Sequence, residues 1–128
     1  MCLKRLIGPR TKEDNMKKFI ILLLLMALIL CGCGAAKADI LAEEYVNSTA
    51  TSKAYLIYHL QCIGFSQEEA YGAAENCKAD WSKEALEYYN IIKQSCPELT
   101  QEELLYVLTT QGFTKEEIDW VTNKTQRG

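Results

Sequence analysis

"GFSQEE", residues 64–69, returns forty-eight residues later as "GFTKEE", residues 112–117. Gly64 and Gly112 each follow a helical run of apolar residues, at a point where the chain needs φ > 0 and glycine takes it without strain. Ser66 and Thr114 then stand where a side-chain oxygen accepts from the free N–H groups of a new first turn. Three residues on, Glu69 and Glu117 reach back to the cap residue's own N–H. Phe65 and Phe113, just before each cap, are placed to staple against Ala70 and Ile118. The phrase therefore ends one helix and begins the next, and the chain does this twice.

Outward from these corners the apolar spacing stays helical. Leu56, Leu60 and Ile63 lead to Gly64, and Ala70, Ala73, Ala74 and Cys77 follow it. Trp81, Ala85, Tyr88 and Ile92 mark a third helix, which Pro97 prevents from continuing. Thr100 with Glu103 forms another capping box before Leu104, Val107 and Leu108, and Ile118 with Val121 mark a last helix. At an offset of 48, Leu56 matches Leu104, Leu60 matches Leu108, Phe65 matches Phe113 and Ala73 matches Val121. No alternating strand pattern competes. The expectation is an all-α fold: a small domain of about five short helices over residues 52–128, with tandem helix-turn-helix-like repeats. Repeat one spans 52–99 and a truncated repeat two spans 100–128.

The N-terminal third has a different character. "MKKFIILLLLMALILCGCG", from Met16, has two lysines, an apolar stretch from Phe19 to Leu30, then small residues and cysteines, the form of a secretory signal. Its end fits a lipobox, with Leu30 at −3 and Gly32 at −1 of Cys33. Cys31 is the rival acceptor but has the bulky Leu30 at its −1 position. Residues 16–32 are thus expected to be a lipoprotein signal peptide, with Cys33 the lipidated residue. Residues 1–15 read as a non-native N-terminal extension with Met16 the true start. Residues 33–51, rich in small, polar and charged side chains, read as a lipidated tether, which if flexible spans about 25 Å. The expected location is the cell membrane, lipid-anchored on its extracytoplasmic face.

Cleavage before Cys33 leaves eight basic against fifteen acidic residues, a net charge of −7. That sign opposes nucleic-acid binding, which needs a basic face, and fits either a basic partner or simple solubility. An enzyme needs a nucleophile, a base and an orienting group, whereas His59 is the only histidine and reads as flanking the core. With Cys62 it forms the beginning of a metal site that lacks paired C-x-x-C spacing. Most paired glutamates fall at or near helix starts, where the helix dipole favours them. No catalytic residue, metal or cofactor is expected. If the first three helices run up, down and up, any intramolecular disulfide joins Cys62 to Cys96, and Cys77 lies too far from both; free buried thiols are the alternative.

The run "GFSQEEAYGAAENCKADW", with the second "GFTKEE" and the lipobox, resembles the host cell surface-exposed lipoprotein family. Its repeats carry a Gly-Phe-Ser/Thr corner followed by a stretch like Asn76, Cys77, Ala79, Asp80 and Trp81. The match covers about residues 52–123; Gly72 stands where the family usually has an aromatic, while Trp120 keeps one in the second repeat. The resemblance implies a Gram-positive surface lipoprotein, often encoded by temperate phages. It also implies superinfection exclusion, the blocking of DNA injection by a second phage through binding its tape measure protein or another injection component. Glu68, Glu84, Glu87, Glu102 and Glu116 are the candidate contacts for a basic segment of that partner. A general envelope or adhesion module with a host protein partner is the alternative.

Overall fold

The computed structural model describes residues 12–29 and 34–127. Among these the chain is all-helical, with seven helices and no strand. In chain order they are α1 (Lys12–Ile29), α2 (Gly34–Ser48), α3 (Lys53–Ile63), α4 (Gln67–Asn76), α5 (Trp81–Ser95), α6 (Gln101–Thr110) and α7 (Lys115–Gln126). Cys33 and the lipobox lie outside the described residues, as do most of residues 1–15. No helix among the described residues is long and apolar enough to cross a membrane.

Local chemistry sets the boundaries. Ser66, Thr100 and Thr114 each accept from the backbone N–H three residues on, while Glu69, Glu103 and Glu117 accept from the N–H of the cap residue, so three complete capping boxes form. Ser52 and Asp80 cap α3 and α5 through the side chain alone. Among the described residues, Gly64 and Gly112 are the glycines with positive φ, at 125° and 88°. After each, the N–H of the following phenylalanine donates to a carbonyl one turn back, Leu60 for Phe65 and Leu108 for Phe113, closing both corners in the same way.

The helices pack in two sets of three. In the first, α2, α3 and α4 touch one another and enclose Leu41, Leu56, Leu60 and the alanines of α2 and α4; in the second, α5, α6 and α7 enclose Tyr89, Ile92, Leu104, Leu108, Phe113 and Val121. The small Ala70, Ala73 and Ala74 allow α2 to approach α4 closely, and the first core is correspondingly lean in large side chains. Helix α1 rests on α2.

Two expectations are corrected here. Residues 34–48, read as part of a tether, form α2, with Ala38, Leu41 and Ala42 wholly buried. The reason is visible in the spacing, because Ala38, Leu41, Ala42 and Tyr45 recur at i, i+3, i+4 and i+7, and alanine is the strongest helix former rather than a linker residue. The Cys62–Cys96 bridge is also absent. Cys62 and Cys77 carry free thiols, and Cys96 is disulfide-bonded to neither. The up-down-up premise put α3, α4 and α5 in one bundle, whereas α5 packs on α6 and α7 and Cys96 is buried in their core. For the same reason α5, counted in the first repeat, sits with the helices of the second.

Candidate interaction surface

The joint between the two sets is built by one short segment. Ser52 is buried, and its Oγ accepts from the Tyr55 N–H at 3.0 Å while donating to the Gln111 carbonyl at 2.6 Å. A single hydroxyl therefore caps α3 and ties it to the second corner. Next to it, the Thr51 N–H donates to Glu84 Oε2 at 3.1 Å. Gly112 is pressed against this segment, since a Cβ there would stand 3.1 Å from the Ala54 Cβ and 3.2 Å from Ser52 Oγ.

That geometry separates the five candidate glutamates. Glu84 is half-buried and serves the joint; burial pushes its carboxyl above the ordinary range, against the opposing pull of the Thr51 N–H. Glu87 lies one turn along α5 and is exposed, and Glu68, Glu102 and Glu116 are exposed in the first turns of α4, α6 and α7. Those four are free to meet a partner, on four different helices. Glu69, Glu103 and Glu117 spend their carboxylates on the caps, and Glu103 is held below the ordinary range by the Thr100 N–H and hydroxyl.

Each set also carries an aromatic contact that the linear sequence did not reveal. His59 stacks on Tyr45 with ring centroids 4.6 Å apart and lies 6.5 Å from Tyr55, while Tyr88 faces Phe113 at 5.8 Å. Burial pushes the Tyr45 phenol up to about 12, with Tyr55 and Tyr88 adding to the shift. Burial also lowers the His59 pKa, favouring its neutral form. His59 is thus a half-buried member of an aromatic stack. Comparison with known proteins gives no match: no family model, no curated protein and no solved structure fits the chain.

Away from the joint, Tyr58 and Tyr106 are 62% and 70% exposed, the highest values among the tyrosines, and they occupy the same register forty-eight residues apart on α3 and α6. The signal that finds them is the offset that relates the corners, since each stands between two core leucines, Leu56 and Leu60 or Leu104 and Leu108. Among the described residues no group of three or more His, Cys, Asp or Glu converges with the geometry of a metal site. What the surface offers is rigid helix faces carrying tyrosines and carboxylates, the chemistry of recognition by contact.

Proposed function

We propose that the protein is a membrane-anchored surface lipoprotein that mediates superinfection exclusion, blocking phage DNA injection by binding an injection component such as the tape measure protein. The observation that carries this reading is the corner built twice: a glycine at positive φ, a packed phenylalanine and a complete capping box. It is joined to "NCKADW" and the lipobox, which together resemble the exclusion lipoproteins. The finer architecture belongs to the same proposal. The chain is a tandem of two units in which a 15-residue helix, α2 or α5, precedes a helix-turn-helix pair. In this phase the second unit is as long as the first, and the break between them falls at residues 77–80. The acidic partner surface then comprises Glu68, Glu87, Glu102 and Glu116, with Glu84 reserved for the joint.

The test is a phage challenge of a strain expressing the full chain, with adsorption and DNA entry scored separately. Adsorption is expected to be unchanged while DNA entry falls by orders of magnitude. Reversal of Glu68, Glu87, Glu102 and Glu116 to Lys is expected to restore infection while the protein keeps its helical circular dichroism and cooperative melt. Plaque counts equal to those of the non-expressing strain for every phage tried would sink the exclusion reading. Protection undiminished by the reversals would move the partner surface elsewhere.

A further inference from the structure

Among the described side chains of α1, Ile21 is the one packed against the first core. That side chain is half-buried against the first core, whereas Phe19, Ile20, Leu22, Leu23 and Leu24 around it are 48–61% exposed. Ile21 sits in a groove between α2 and α3 whose floor is Leu41 and Leu60 and whose walls are Tyr45, His59 and Ile63, with Glu44 at the rim. A cavity of about 10 Å³, about one water in size, remains among these side chains. The groove is preformed, because Tyr45 and His59 hold each other by stacking and the floor leucines belong to the core.

We propose that this groove is a binding site for an apolar helix of another protein, occupied by α1 in the precursor and vacated when α1 is removed. The proposal rests on residues 16–32 being a cleaved signal. The occupant's chemistry is displayed by α1 itself: an aliphatic side chain, Ile21, that enters the pocket from a helix whose neighbouring positions 19, 20 and 22–24 are also large and apolar. Its location follows from α2. Leu41 and Tyr45 lie eight and twelve residues beyond Cys33, roughly 12–18 Å of helix rise. The helix that enters the groove is therefore one exposed at the bilayer surface.

The test uses the processed protein purified in detergent from its membrane, titrated with a fluorescent peptide of residues 12–29 and followed by anisotropy. Saturable binding is expected, weakened at least tenfold by Ile21→Asp in the peptide, a change that leaves the protein untouched. Ile63→Asp in the protein is expected to act likewise, and Tyr106→Ala, on α6, to have no effect. Unprocessed Cys33→Ala protein should refuse the peptide because its own α1 fills the groove, and adding Ile21→Asp to that chain should admit it. Equal binding of the Ile21→Asp peptide would overturn the proposal, as would displacement of the peptide by phosphatidylglycerol vesicles alone, which would assign the groove to acyl chains. Mass spectrometry of the purified chain keeps the two readings apart. A retained α1 refutes the cleaved signal, and the Ile21→Asp unprocessed chain then decides the groove by itself.

Discussion

Gly64 and Gly112 share a phrase and a positive φ but not an environment. A Cβ at Gly64 meets nothing within 4 Å, whereas at Gly112 it meets Ala54 and Ser52. Gly64→Ala is therefore expected to cost only the backbone strain, about 1–2 kcal/mol. Gly112→Ala adds crowding of the joint and is expected to cost more, by an amount that Ala54→Gly, with its own backbone cost subtracted, partly returns. Chemical denaturation of the two variants and the double mutant checks this, and equal losses would show that the joint yields easily. The corners were legible residue by residue because every contact in them lies within a few positions: Ser66 with Glu69, Thr100 with Glu103, Thr114 with Glu117. Ser52 was not, since its second partner, Gln111, is fifty-nine residues away, and no local pattern encodes that distance.

Among the elements, α3 to α7 follow from apolar spacing and caps, and α2 is the one that composition concealed. Its sequence, "GAAKADILAEEYVNS", is poor in large apolar residues, yet it needs few, because the facing helix α4 presents alanines that let the backbones close together. A lean stripe met by a lean stripe still excludes water. Leu41, wholly buried from α2, is the sharpest probe. Leu41→Ala is expected to destabilise the fold by about 2–5 kcal/mol, the range for truncating a buried leucine, and to speed proteolysis after Lys53. An unchanged melting temperature would mean that α2 is dispensable. The candidate glutamates were legible as helix-start residues, but which of them reaches solvent was not. Glu84 looks like the others in sequence and differs only because Thr51 comes down on it from the other set.

At the scale of the whole molecule, the two cores are joined through Ser52, Thr51 and Glu84 and are expected to melt as one unit. Glu84→Ala leaves the buried Thr51 N–H without its acceptor and is expected to cost about 1–3 kcal/mol, and to broaden or split the transition. Glu84→Gln keeps an acceptor and removes the charge, so it is expected to be neutral or stabilising at pH 7. The sign follows from the raised carboxyl. The folded state holds its proton more tightly than the unfolded chain, so wild-type stability should fall as pH rises from about 4.5, the ordinary glutamate value, through the folded value. Calorimetry of wild type and Glu84→Gln across that window isolates the contribution, and identical slopes would remove Glu84 from the account.

The early start of α2 also bears on where such a protein can act. Its first residue, Gly34, directly follows Cys33, and its third turn is already locked in the core. Under the proposed acylation at Cys33, the molecule would have no leash. Its reach would be its own thickness, and it would meet other molecules by gliding in the plane of the lipid instead of by searching the volume above it. A protein so anchored would encounter whatever touches the bilayer, at a local concentration set by how many copies share the membrane.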